Sequence, residues 1–145
     1  MYRKILVPLD GSKVAEGVLP HAKDLAYSQG AELILLTVGA NPAMDFVFSD
    51  PGLARSAVQE QEERSKKYIS EVENHLQSAG FRTSTVLRVG SVADVILGVA
   101  EELGVDCIAM STHGRTGPAR WLLGSIAERV VHNSKIPVLL IRAKE

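Results

Sequence analysis

Five short apolar runs, each followed by a turn and most of them by a stretch with helical spacing, constrain this chain more than any other feature. They cover residues 4–9, 32–38, 83–89, 106–110 and 138–142, the last opened by Pro137. Such runs are strand-sized, and the segments between them repeat apolar residues every three or four positions, as a helix with one buried face does. Val14, Val18, Ala22, Leu25 and Ala26 form the first such stripe, with Gly30 as its stop and Pro20 predicting a kink. A long helix is expected from Leu53 to Ala79. Glu62 and Glu63 stand four residues before Lys66 and Lys67, Ile69, Val72, Leu76 and Ala79 face a core, and Gly80 ends the run. The polar stretch from Gln59 to Lys67 reads as a solvated face. Val92, Val95, Ile96, Val99, Ala100 and Leu103 make a third stripe, preceded by Ser91 and Asp94 in capping-box spacing. Ser125-Ile126-Ala127-Glu128 has the same S-x-x-E form ahead of the last helix. Strands alternating with helices in this way build a mostly parallel sheet covered on both faces, with right-handed crossovers.

At 145 residues and 46% hydrophobic content, the chain is expected to be one domain over residues 1–145. A net charge of −1 offers no basic footprint, so no nucleic-acid partner is expected. Cys107 is the single cysteine and sits in an apolar run, which excludes an internal disulfide or a cysteine-built metal centre. No stretch approaches the roughly 18 apolar residues of a membrane span, and the first apolar run is too short for a signal peptide. A cytoplasmic protein without membrane contact is expected. Residues 39–52 read as a loop, with Pro42 and Pro51 around an apolar Phe46-Val47-Phe48.

Chemistry concentrates in the glycine-punctuated stretch from Ser111 to Ser125. A loop of this kind turns backbone N–H groups toward an anion, and the helix after it adds unpaired amides and the positive end of its dipole. No Asp or Glu occurs from Cys107 to Ala127, whereas His113, Arg115 and Arg120 do. The spacing is neither G-x-G-x-x-G nor G-x-x-x-x-G-K-S/T. Ser125 also has a purely structural reading as a helix cap, Asp10 as a turn residue, His113 as a hydrogen-bonding loop residue and Trp121 as packing. Ligands of open parallel sheets bind beyond the carboxyl ends of the strands where strand order reverses. The turns at residues 10–12 and 111–117 share one crevice if the order is 3-2-1-4-5; in a 2-1-3-4-5 order Gly90-Ser91 would lie at the switch, and spacing leaves both open. Enzyme signatures are absent. There is no G-x-S-x-G elbow or Cys–His pair, and His21, His75 and His132 lack metal-ligand spacing. Val89-Gly90 and Arg142-Ala143 stand where a receiver domain needs its acceptor Asp and its Lys.

The frame Ser111-x2-Gly114-x9-Gly124-Ser125 resembles the G-x2-G-x9-G-S/T motif of nucleotide-binding universal stress proteins. The opening I-L-V-P-L-D-G-S, the L-L-T-V ending at Val38 and the closing P-V-L-L-I-R are also similar to that family. The resemblance implies an α/β fold: a single-layer, five-stranded parallel sheet in the order 3-2-1-4-5, with helices on both faces, as in adenine nucleotide alpha hydrolases. It implies ATP as the ligand, with Mg²⁺ on its phosphates. Pro8, Asp10 and Val38 would surround adenine and ribose, Met110 and Ser111 would border the nucleoside, and Gly114, Arg115, Gly124, Ser125 and Ile126 would enclose the phosphates, with His113 in the same loop. Ser111 departs from the family's first glycine and would either crowd the ribose or donate a hydrogen bond to it. A regulatory stress-response module with slow or no ATP hydrolysis follows, and the alternative is a stress protein that acts through protein contacts alone. An ATP-cleaving enzyme of this architecture would want an H-x-G-H motif near the first strand, which is missing. The family resemblance and an apolar edge strand together predict a homodimer through Val138, Leu139, Leu140, Ile141 and Arg142.

Overall fold

Lys4–Pro8 (β1) occupies the centre of the sheet because its side chains are apolar on both faces, as a strand covered from both sides requires. It pairs in parallel with Glu32–Gly39 (β2) from Lys4↔Glu32 to Pro8↔Leu36, and with Cys107–His113 (β4) at Ile5↔Cys107 and Leu6↔Ile108. Thr83–Val89 (β3) lies outside β2 and Val138–Ala143 (β5) outside β4, giving the order β3-β2-β1-β4-β5. Of the two orders that spacing left open, the first is the one formed. The computed structural model describes residues 1–39, 50–113 and 123–143. The Phe46-Val47-Phe48 loop lies outside the described residues, as do Arg120 and Trp121.

Among the described residues, five helices cover the sheet: Lys13–Glu16 (α1), Leu19–Gln29 (α2), Pro51–Ser78 (α3), Val92–Leu103 (α4) and Ser125–Asn133 (α5). Alternation along β1 divides the core. Ile5, Val7 and Leu9 pack with Ala22 and Ala26 of α2 and Ile69 and Leu76 of α3. Leu6 points the other way, among Ile96 and Val99 of α4 and Val130 of α5. Each of these large side chains contributes about 1.5–3 kcal/mol by leaving water, so the two clusters hold helices to both faces. Cys107 belongs to the first cluster, and burial pushes its thiol pKa up, leaving an unreactive thiol. None of the described helices is long and apolar enough to cross a membrane.

Several local expectations are corrected. Pro20 does not kink one helix; the chain breaks into α1 and α2, with Pro20 in the first turn of α2, where its missing N–H costs nothing. The long helix begins two residues early, at Pro51, because Asp50 caps it by accepting from Gly52 N at 2.8 Å. Ala79 is exposed rather than core-facing. Ser91 holds the cap position of α4 without a side-chain cap bond, and Asp94 pairs instead with Arg129 of α5 at 3.0 Å. β4 runs three residues past Met110, since β5 offers it a ladder as far as His113↔Ala143. Ser111 and the backbone of His113 therefore belong to a strand, not a loop.

Candidate functional site

β1 and β4 are neighbours whose following helices cover opposite faces, so their carboxyl ends separate and leave a crevice. A cavity of about 280 Å³ fills it. Of the residues expected at a nucleotide site, Pro8, Asp10, Val38, Met110, Ser111, Gly124, Ser125 and Ile126 all line this cavity. His113 stands at the end of β4 by its backbone. Gly114 and Arg115 lie outside the described residues. Ser12 and Thr112, from the two turns expected to share the crevice, line it too, whereas sequence reasoning missed Leu9, Leu36, Val92, Ile96, Leu123 and Ala127 as lining residues, together with Val14 and Ala15 of the first helix. Most of these carry the apolar pattern of core positions, and a residue at the rim of a core also lines the cavity above it.

One side of the mouth is the β1–α1 turn. Asp10 Oδ1 accepts from Ser12 N at 2.9 Å and from Ser12 Oγ at 2.5 Å. Ser12 Oγ in turn accepts from Ala15 N at 3.1 Å and caps α1. The turn reading of Asp10 is therefore realised, and the same residue also faces the cavity. The opposite side is the start of α5, where the S-x-x-E expectation fails. Gly124, not Ser125, holds the cap position, at φ 86° and ψ 153°, with no side-chain cap bond. That backbone region is open in practice to glycine alone, which is why the cap residue has no hydroxyl to offer. Ser125 is the first helical residue, and Glu128 falls one position too far along to close a box; its carboxylate lies 3.8 Å from His132 instead.

The first intrahelical bond of α5 runs from Glu128 N to Gly124 O at 3.0 Å. The amides of Ser125, Ile126 and Ala127 are thus left without a protein partner among the described residues, beside the cavity they line. Thr112 fixes the approach to them, since its hydroxyl donates to Leu123 O just before Gly124. Leu36, Val38, Val92 and Ile96 make the other end of the cavity apolar, and among the described lining residues Asp10 is the single charged group. Ser111 carries a buried hydroxyl with no hydrogen-bond partner among the described residues. Behind the first turn, Tyr68 of α3 buries its hydroxyl, and its pKa is pushed up by burial first and then by the charges of Glu16 and Asp10. The arrangement offers an apolar slot for a flat ring, unpaired amides and a helix dipole for an anion, and one carboxylate between them.

A parallel sheet in this order with an anion-ready crevice at its switch point defines the class of adenine nucleotide alpha hydrolase-like α/β proteins. The chain belongs to the universal stress protein family, whose profile matches residues 1–142. Universal stress protein MJ0577 of Methanocaldococcus jannaschii is 33% identical, covering 99% of this chain and 97% of its own length. A universal stress protein of Methanothermobacter thermautotrophicus is 35% identical over 98% of this chain and 97% of its own. The solved structure of MJ0577 superposes with a TM-score of 0.85 at 32% identity, covering 100% of this chain and 99% of that one. A universal stress protein crystallised with cAMP (TM-score 0.73, 23% identity, 99% and 98% covered) and one from Archaeoglobus fulgidus in complex with dAMP (0.67, 22%, 97% and 98%) share the fold.

Proposed function

We propose that the cavity binds an adenine nucleotide, ATP with Mg²⁺, and that occupancy regulates the protein rather than feeding a fast reaction. The observation that carries this reading is the uncapped start of α5, where Ser125, Ile126 and Ala127 line the cavity and their amides have no acceptor among the described residues. Phosphate oxygens supply that acceptor, and the family motif adds Gly114 and Arg115 as the residues we assign to the phosphates. The base lies in the apolar end near Val38, and the sugar lies beside Pro8, Met110 and Ser111. Mg²⁺ would be held by the phosphates, and Asp10 could contribute Oδ2 to it, its Oδ1 being engaged by Ser12. Adenine nucleotides bound to relatives of the same fold support the choice of base.

Slow or absent turnover fits the same residues. Asp10 is tied into its turn, and in-line attack on a phosphate wants a positioned base together with metal-holding carboxylates. The edge strand β5 supports a homodimer: Val138, Leu139, Leu140 and Ile141 are half-buried, and Arg142 completes the pairing segment we assign to the contact. Two measurements test the reading. Mass spectrometry of small molecules released by denaturing freshly purified protein, backed by calorimetric titration of ATP and adenosine, should recover an adenine nucleotide and rank ATP above adenosine; equal or absent binding contradicts the site. Sedimentation should give a dimer at micromolar concentration and a monomer for Leu140→Pro, and a wild-type monomer contradicts the contact.

A further inference from the structure

Thr37 and Thr112 are the polar residues buried in the core among the described residues. Burying a hydroxyl costs free energy unless it finds a hydrogen-bond partner. Thr37 has none among the described residues, whereas Thr112 donates across eleven residues to Leu123 O. Strand alternation explains why it can. Ile108 and Met110 belong to the cluster under α4 and α5, so Thr112, two residues further along β4, faces the same side, where Leu123 packs on that cluster. The pairing Thr112↔Arg142 holds the donor's backbone in register with β5. Gly124 is close as well: a Cβ built on it would stand 3.7 Å from the Thr112 hydroxyl oxygen.

Leu123 O takes no part in α5, whose first bond ends on Gly124 O, so Thr112 is the partner of that carbonyl among the described residues. The peptide joining Leu123 to Gly124 is planar and trans, which points its carbonyl and its N–H in opposite directions. A hydroxyl that fixes the carbonyl therefore fixes the Gly124 N–H too. That amide, like those of Ser125, Ile126 and Ala127 after it, has no acceptor among the described residues. Gly124 then turns the chain into α5 at φ 86°, so the setting of the first helical turn follows from this one peptide plane. We propose that Thr112 is a positioning residue, whose hydroxyl holds the Leu123–Gly124 peptide so that the amides at the start of α5 are set for phosphate oxygens before the ligand arrives. The role rests on the adenine-nucleotide reading above. Preorganisation of this kind raises affinity by removing the cost of ordering the donors on binding.

Calorimetric titration of the intact protein with ATP plus Mg²⁺ and with adenosine tests it, on wild type, Thr112→Val, Thr112→Ala and Thr112→Ser. Val keeps the shape without the hydroxyl, Ala removes both, and Ser keeps the hydroxyl. Thermal melts identify which variants are folded, and either hydroxyl-free variant suffices. Loss of the hydroxyl should weaken ATP by about tenfold, the order of one hydrogen bond, while adenosine, which has no phosphate, changes by less than about twofold. Thr112→Ser should restore the wild-type preference for ATP. In the absence of ligand, the Gly124 and Ser125 amide resonances should move in Thr112→Val and return toward wild type in Thr112→Ser. A hydroxyl-free variant that keeps the wild-type preference for ATP, or one that loses ATP and adenosine equally, overturns the positioning role and leaves the nucleotide reading standing. A wild-type protein that does not prefer ATP to adenosine overturns both.

Discussion

The two helix starts that flank the cavity are built from the same parts, a strand end, a tight turn and the first amides of a helix, yet they are finished in opposite ways. At α1 the protein satisfies itself: Ser12 caps Ala15, and Asp10 braces Ser12 through both its amide and its hydroxyl. At α5 the cap is a glycine without a side chain, and three amides have no partner among the described residues. A helix end that costs stability to leave uncapped, placed against an apolar slot, is more useful to a ligand than to the fold. Under the proposed function, the first turn serves architecture and the second serves binding.

The sharpest way to break this comparison is Gly124→Asp. A side chain at φ 86° is strained whatever the available space, which costs about 1–3 kcal/mol. The added carboxylate also repels an anion at the amides, so nucleotide affinity measured by calorimetry should fall at least about tenfold. Next in size is Ser12→Ala, which removes a working cap and should lower stability by about 1 kcal/mol in urea melts. Ser125→Ala sharpens the contrast from the other side. A capping serine there would give a similar loss, whereas the first helical residue with no cap bond should shift stability by less than about 0.5 kcal/mol.

The smallest expected effect lies away from the site. Asp106 accepts the amides of Arg3 and Lys4 at 2.8 and 3.0 Å, and these hydrogen bonds hold its carboxyl below the usual carboxylate range. Because its folded pKa is depressed, its stabilisation is complete above the unfolded carboxylate value near 3.9 and is lost as pH falls through the folded value. Asp106→Asn should therefore narrow the gap between neutral and acid melting temperatures, and an unchanged acid limb would contradict that role.

Much of the architecture was readable because burial on both faces leaves near-continuous apolar runs, as in Ile5 to Val7 and Leu33 to Leu36. Strand order was not readable from spacing, since a crossover helix of either hand of the sheet has the same length; the family resemblance supplied it. Polar strand residues hid the end of β4: Ser111, Thr112 and His113 carry no apolar signal and are strand only because β5 pairs with them. The S-x-x-E pattern before α5 misled for a related reason. It describes local chemistry, while the cap position was decided by Gly124, whose backbone takes a conformation closed to serine. Ile96 and Leu36 were legible as core, yet nothing in a period reports that the core's upper layer is also the cavity wall.

The most direct measurement is an amide-resolved NMR titration with ATP and Mg²⁺. The account predicts that the largest shifts fall on the amides of Ser125, Ile126 and Ala127, and that the capped Ala15 amide moves far less. Large shifts at Ala15 with the three α5 amides unmoved would contradict the division between a closed turn and an open one on which the functional reading depends.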